Sequence, residues 1–284
     1  MACIHSRTGL NSKPVILRST HLARLMFVVV VSALSGCGGN DLEITPITDE
    51  ADIILFQRGD TALEEGDWSR GRQYFEQIRD NYPQSLLRAD ARIRIVESYE
   101  GEENAIAYTA ALTELREFLR LYPPTHELAP VAQFKVGLVY FNQMRRPERD
   151  QSETRAAISE LETFVAAYAS IADAELLSEA RAKLREARDR LSESSFIVGR
   201  FYYRNKYWSG AIDRFRGVLD EDPGYTRRDA IYYHLADSLA EADRAAEALP
   251  MFERLVGEFP ETEYLEEASA RIAELKLAMD LEDR

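Results

Sequence analysis

The sequence of 284 residues predicts an all-α protein, in which five helix pairs stack as a right-handed solenoid and a C-terminal helix caps the stack. Three observations predict this class. A ten-residue frame recurs five times along the chain. Its apolar positions have the three- and four-residue spacing of one helix face. Four of the five copies end in proline, which stops one helix or starts the next.

Residues 1–36 are interpreted as a lipoprotein signal peptide. They contain basic residues but no acidic ones, followed by an apolar run at residues 25–34 that is too short to span a membrane. A basic lead, a short apolar centre and small residues before the processing point are typical of secretory signals. The stretch LSGC, which ends at Cys37, is similar to the bacterial lipobox and predicts that Cys37 is lipidated. The alternative is an ordinary signal peptide with a cysteine nearby.

Residues 37–50 are predicted to form the lipidated cysteine and a flexible tether, since they are polar and have no helical period. The solenoid is then expected to occupy residues 51–284. Cys3 is removed with the signal peptide and Cys37 carries the lipid, so no thiol remains for a disulfide. The fold must therefore be stabilised by packing.

The repeated frame ends near residues 83, 123, 169, 223 and 260. Its first copy reads YFEQIRDNYP and its last reads MFERLVGEFP, whereas the third copy has Ala169 in place of the proline. A large apolar residue precedes each end by eight positions and a small residue precedes it by twelve, which places both on one helix face. We expect these residues to be buried. The large ones are Phe75, Leu115, Leu161, Phe215 and Phe252, and the small ones are Gly71, Ala111, Ala157, Ala211 and Ala248.

In three copies a second small residue marks the preceding helix, at Gly59, Gly199 and Ala236. We expect each to be the point at which the two helices of a pair approach closely. Trp68 and Trp208 occupy equivalent places at the turn between helices, and we interpret both as structural.

The spacing between copies exceeds the 34 residues of a simple helix pair, so longer elements must lie between them. We expect a loop at residues 144–154 and a separate long charged helix at residues 172–194, between copies three and four. A final helix at residues 263–279 is predicted to cap the stack.

No catalytic or metal-binding pattern stands out. His126 and His234, the two histidines after the predicted signal peptide, are far apart in sequence, and neither has a second histidine or a cysteine nearby. No phosphate-binding glycine loop or nucleophile motif is present. A helical-repeat lytic glycosidase would need an added catalytic domain, for which no residues remain. We therefore predict a binding protein with no cofactor and no metal, and not an enzyme.

The charge limits the partners. The chain has a formal net charge of −14, and the predicted signal peptide contains none of its acidic residues, so the remainder is more acidic still. Such a chain does not bind nucleic acid or an anionic surface through bulk charge. Contact with a membrane is expected to come from the lipid.

Several stretches resemble the tetratricopeptide repeat and, more specifically, the BamD lipoprotein family of the outer-membrane β-barrel assembly machinery. Residues 66–83, GDWSRGRQYFEQIRDNYP, are similar to that family's first repeat. Residues 118–141, with their Pro-Thr-His turn, resemble its second repeat continuing into the third, where the Arg149-Asp150 pair also matches. Residues 206–223 resemble the fourth. The chain departs from the pattern at Ala169 and at Asp222, where an aromatic residue is usual, so local curvature is expected to differ.

The resemblance implies a lipid-anchored protein on the periplasmic face of the outer membrane. Its implied partners are a POTRA domain of BamA, other Bam lipoproteins, and unfolded outer-membrane β-barrel proteins as cargo. Arg214 is the implied BamA contact, and it is expected to be exposed since it lies about 100° around the helix from Phe215. An ion pair with a neighbouring carboxylate is the alternative role for Arg214.

The groove candidates for cargo are Arg58, Arg94 and Tyr99, on the first helices of copies one and two, and an ordinary solvated face is the alternative for them. The alternative family is another tetratricopeptide lipoprotein, such as a pilus pilotin or an envelope or cell-division coordination factor.

Overall fold

The structure is a computed structural model that describes residues 50–282, with side chains as far as Met279. Within this range the chain forms eleven α-helices and no strand. Their bounds are α1 Ala51–Glu64, α2 Trp68–Asn81, α3 Arg88–Gly101, α4 Ala105–Leu121, α5 Ala129–Asn142, α6 Ser152–Tyr168, α7 Ala174–Arg204, α8 Trp208–Glu221, α9 Arg228–Glu241, α10 Ala245–Glu258 and α11 Leu265–Glu282. The predicted signal peptide, Cys37 and the predicted tether up to residue 49 lie outside the described residues.

Each helix packs mainly against the helices that precede and follow it in the chain. The helices form five successive pairs, α1 with α2 through α9 with α10, and α11 packs on α10. First helices of neighbouring repeats also touch, as α1 does α3, α5 does α7 and α7 does α9. The predicted all-α solenoid of five helix pairs with a terminal helix is confirmed.

The repeated frame provides the core, as predicted. All five large residues, Phe75, Leu115, Leu161, Phe215 and Phe252, are completely buried. The small residues twelve positions before each frame end are buried too. Buried side chains from successive repeats form continuous clusters, because one repeat alone cannot cover both sides of its helices.

The glycines of the first helices allow the close contacts that the spacing predicts. A Cβ added at Gly59 would lie 2.5 Å from the ring of Phe75, and one added at Gly199 would lie 2.5 Å from the ring of Phe215. Real Cβ atoms do not approach other atoms so closely. Each glycine therefore leaves the space that the large residue of its partner helix occupies.

The long helix differs from the prediction. A separate helix ending near residue 194 was expected. Instead, α7 is 31 residues long and extends to Arg204, so that its last turns form the first helix of repeat four. Its N-cap is Asp173, whose side chain accepts hydrogen bonds from the backbone N–H groups of Glu175 and Leu176. No proline interrupts the stretch, and Gly199 is retained inside the helix because of its contact with Phe215.

The loop between α5 and α6 is held by one buried side chain. The amide of Gln151 donates hydrogen bonds of 2.9 Å to the carbonyl oxygens of Arg146 and Arg149. Its own oxygen accepts from Thr154 at 2.8 Å. The loop thus has a defined conformation despite its length.

Candidate protein-binding surfaces

A ladder of ion pairs crosses the first helices of repeats one to three. The Arg94 guanidinium on α3 lies 3.1 Å from Asp60 on α1 and 2.7 Å from Glu97 on its own helix. Lys135 on α5 then reaches back to α3, at 3.4 Å from Glu97 and 2.8 Å from Glu100. Each cation therefore joins its helix to the preceding first helix. The ladder therefore links the first helices of the first three repeats to one another.

A second ladder follows the same rule at the other end of the stack. The Tyr203 hydroxyl on α7 donates to Asp237 on α9 at 2.8 Å. Arg271 on α11 lies 3.2 Å from Asp237 and 3.1 Å from Glu241. Arg94 and Arg271 share an Arg-x-x-Glu pattern, which is the signal in the sequence for the two ladders.

The three groove candidates lie on the predicted helices but do not converge. Arg94 is about two-fifths exposed and is engaged in the first ladder. Tyr99 is half-buried, with the guanidinium carbon of Arg72 from α2 4.1 Å from its ring centre. The two are five residues apart on α3, which rotates them by about 140° from each other. Arg58 is half-buried on α1 and also has an interaction within the chain.

Arg214 is exposed on α8, as predicted. It forms no ion pair with any residue that the structure describes, so the alternative role as the partner of Asp213, Asp220 or Glu221 is not seen. It lines a polar cleft of about 440 Å³, which we call the α8 cleft. The cleft is lined by Ser195, Tyr202, Gly210, Asp213, Arg214, Gly217, Val218 and Glu221.

Exposed aromatic rings lie next to Tyr202, one of the residues that line the α8 cleft. The Phe201 side chain is 53% exposed and that of Tyr207 is 62% exposed. Tyr202 stands between them, with ring centroids 5.8 Å from Phe201 and 6.4 Å from Tyr207. Helix periodicity alone does not identify these rings, since their exposure depends on how α7 packs against α8.

Asp222, where an aromatic residue was expected, has a structural role. It is nearly buried and accepts two hydrogen bonds from the Arg185 guanidinium and one of 2.7 Å from the Ser192 hydroxyl. Burial alone would raise the pKa of this carboxyl, but the hydrogen bonds from Arg185 and Ser192 outweigh it and the pKa is lowered. Hydrogen bonds from α7 to the residue at the end of α8 thus take the place of the aromatic contact.

Both histidines make contacts within the fold. His126 lies in the turn before α5 and accepts a hydrogen bond from the Leu128 N–H at 3.1 Å. His234 is packed among five aromatic rings, and its buried Nδ1 has no hydrogen-bond partner. Burial, and secondarily the nearby Arg200, lower the pKa of His234 to about 4. Across the described part of the chain, no group of histidine, cysteine and carboxylate side chains has a metal-binding arrangement.

The stacked helix pairs define a solenoid of the tetratricopeptide type. A tetratricopeptide-repeat model matches residues 230–262. No helix among those described is long and apolar enough to cross a membrane.

The chain belongs to the YfiO family of outer membrane lipoproteins, whose model matches residues 48–236. It is 27% identical over 195 residues to the outer membrane protein assembly factor BamD of Caulobacter vibrioides, a match that covers 68% of this chain and 61% of that protein. It is 22% identical to BamD of Haemophilus influenzae, over 70% of this chain and 76% of the relative. Among solved structures, the TPR2AB-domain:pHSP90-complex of yeast Sti1 aligns with a TM-score of 0.44 and 13% identity, over 82% of this chain and 85% of the other.

Proposed function

We propose that this protein is a scaffold lipoprotein of the outer-membrane β-barrel assembly machinery, without enzymatic activity. The observation that carries the proposal is the family match, which extends over the first four helix pairs and into the fifth. The function is to hold BamA and unfolded outer-membrane β-barrel proteins near each other, together with other Bam lipoproteins. A stacked helical scaffold suits this function, because a preformed surface binds a partner with little loss of conformational freedom.

The lipid anchor is part of this proposal. Residues 1–36 are removed as a signal peptide, Cys37 is lipidated, and residues 37–50 connect it to the helices. Gly38 follows the cysteine, and the aspartate that usually retains lipoproteins in the inner membrane is absent there. The protein is then held on the periplasmic face of the outer membrane, where nascent barrel proteins arrive.

The BamA contact is assigned to Arg214. Its exposure and its lack of an ion pair in the described structure support the assignment. In a chain of net charge −14, such an arginine is available to a carboxylate of another protein. A planar guanidinium can hold that carboxylate with two parallel hydrogen bonds.

A pull-down from detergent-solubilised envelopes tests the function. BamA is expected to be the dominant protein that co-purifies with the full-length lipoprotein. Recovery of a pilus secretin or of cell-division proteins without BamA would contradict the proposal and favour the alternative class of tetratricopeptide lipoproteins.

Cargo is assigned to the first helices of repeats one and two, near Arg58, Arg94 and Tyr99. Photo-crosslinkers at Arg58 or Arg94 are expected to capture a peptide from the C-terminal strand of an unfolded barrel protein. A crosslinker at Arg120, an exposed arginine on α4, is the matched control. Equal capture from Arg120, or none from either first helix, would remove cargo binding from this face.

A further inference from the structure

Two of the ion pairs between successive first helices share one spacing. A carboxylate on one first helix lies opposite an arginine on the next, 34 positions further along the chain. The pairs are Asp60 with Arg94, at 3.1 Å, and Asp237 with Arg271, at 3.2 Å. We call the two positions of such a pair a rung. A rung holds neighbouring repeats together because its two charges have opposite signs.

The same spacing between α7 and α9 places Arg200 and His234 in the two positions of a rung. Here an arginine stands in place of the carboxylate, and a histidine stands in place of the arginine. The Arg200 guanidinium carbon lies 5.7 Å from the ring centre of Phe196, which itself lies 5.6 Å from the ring centre of His234. Arg200 forms no ion pair with a described residue. This rung therefore avoids repulsion only while His234 is uncharged.

His234 lies where repeat five and the terminal helix join repeat four. Its ring is near those of Phe196 and Tyr203 on α7, Phe215 on α8, and Tyr264, which directly precedes α11. Its Nδ1 is buried and has no hydrogen-bond partner. Protonation would leave an N–H at Nδ1 enclosed without an acceptor. Burial of an unpaired charge is costly, so the closed contact favours the neutral imidazole.

The charged groups around His234 do not offset that cost. The ionisable groups on the surrounding elements are Arg200 and Tyr203 on α7, Arg227 before α9, Tyr233 and Asp237 on α9, Tyr264 before α11, and Glu267 and Arg271 on α11, while α8 faces the histidine with the ring of Phe215. Arg200 and Arg227 oppose protonation, whereas Asp237 favours it. Asp237 is already engaged, since it accepts a hydrogen bond from Tyr203 at 2.8 Å and pairs with Arg271.

We propose that the rung formed by Arg200 and His234 is an acid-sensitive latch between repeats four and five. Protonation of His234 places two positive groups across the contact between α7 and α9. Opening of α9, α10 and α11 relieves the repulsion, because water then solvates the imidazolium. The last repeat of a solenoid is the part that opens most readily, because it has a neighbour on one side only. Repeats one to three remain folded. The latch does not depend on any proposed partner.

Hydrogen exchange of the full-length protein in non-ionic detergent tests the latch. Exchange is measured at pH 7.5 and at pH 5, and the rates are corrected for the intrinsic effect of pH. At pH 5 the opening of amides in α9 and α11 is expected to increase at least about tenfold, since the open form binds the proton more tightly. The opening of amides in α3 and α4 should change less than about twofold.

Three variants separate the latch from a general effect of acid. His234→Gln should lose the increase in α9 and α11, and the matched control His126→Gln should keep it. Arg200→Glu supplies the carboxylate that the other rungs have, and it should reduce the increase at least about threefold. Each variant is compared with itself at the two pH values, so a change in its overall stability does not affect the result. No increase in the unmodified protein, an undiminished increase in His234→Gln or Arg200→Glu, or equal opening of α3 and α9 overturns the inference.

Discussion

Reversing the charge of Arg214 tests whether this residue contacts a partner or is an ordinary surface charge. It makes no ion pair in the described structure, so Arg214→Glu breaks no internal contact and the fold should be unchanged. An exposed ion pair contributes about 0–1 kcal/mol. Loss of a buried charge pair at an interface costs about 2–5 kcal/mol. We expect BamA binding to weaken at least about 30-fold, measured by titration of the purified proteins.

Arg181→Glu is the control for that change, because Arg181 is an exposed arginine on α7 that also has no ion pair among the described residues. It should bind BamA as the unmodified protein does. An acidic-to-basic change on BamA should restore binding to the Arg214→Glu protein. Normal co-purification of BamA with Arg214→Glu would remove this residue from the interface.

His234 makes the fold sensitive to acid. Its pKa is lowered from the ordinary value near 6.5 to about 4, mainly by burial and then by Arg200 and Arg227, whereas Asp237 opposes the shift. The unfolded chain therefore binds a proton at this residue at a pH at which the folded chain does not. Stability is unaffected above pH 6.5 and falls as the pH decreases from there towards 4.

Between pH 7.5 and pH 5 this histidine should reduce the free energy of unfolding by up to about 2 kcal/mol. Urea unfolding at the two pH values measures the difference. In His234→Gln the difference should be smaller by that amount, whatever the variant's stability at pH 7.5. The same difference in both proteins would mean that His234 is solvated in solution.

At the scale of the helix pair, Gly199 decides how closely α7 and α8 approach. A Cβ at this position would already lie 2.5 Å from the Phe215 ring, so a leucine cannot fit without separating the helices. Overpacking of this kind usually costs about 1–3 kcal/mol. Gly199→Leu should lower the free energy of unfolding by this amount in urea titrations.

Gly59→Leu, against Phe75 in the first pair, should behave in the same way. Gly257→Leu, on the open face of α10, should not destabilise the fold. Equal stability of Gly199→Leu and the unmodified protein would show that the proposed close contact is absent in solution.

The long helix α7 shows how one element connects two repeats. Arg185 and Ser192 of α7 donate hydrogen bonds to Asp222 at the end of α8. Tyr203 of α7 donates a hydrogen bond to Asp237 on α9. A helix that ended near residue 194 would leave these contacts on separate elements. Its continuity therefore joins repeats three, four and five through one rigid segment.

At the scale of the whole molecule, the proposed lipid anchor would determine where the protein acts. If Cys37 carries the lipid, Cys37→Ser should leave an unlipidated precursor that retains residues 1–36. Acyl labelling, gel mobility and outer-membrane fractionation measure this. Recovery of the variant at normal size, labelled and in the outer membrane, would exclude lipidation at Cys37. Lipidated protein is expected to stay bound, since each buried methylene contributes about 0.8 kcal/mol.

The sequence by itself determined the fold class and the core. The frame that ends in proline is a local pattern, and helix periodicity alone places its apolar residues on one face. Phe75 and Phe215 are buried for that reason, and Gly59 and Gly199 face them because the spacing repeats from copy to copy. The family resemblance likewise rests on short stretches of sequence and their order along the chain.

Only the tertiary structure decided which charged and aromatic side chains are engaged. Arg94 and Arg214 are both helical arginines, yet Arg94 is paired with Asp60 across two repeats and Arg214 has no such partner. The exposure of Tyr207 and the continuation of α7 to Arg204 also depend on neighbouring helices. The physical reason is that an ion pair or a covered ring requires atoms from distant parts of the chain within a few ångströms. Local periodicity does not specify those distances.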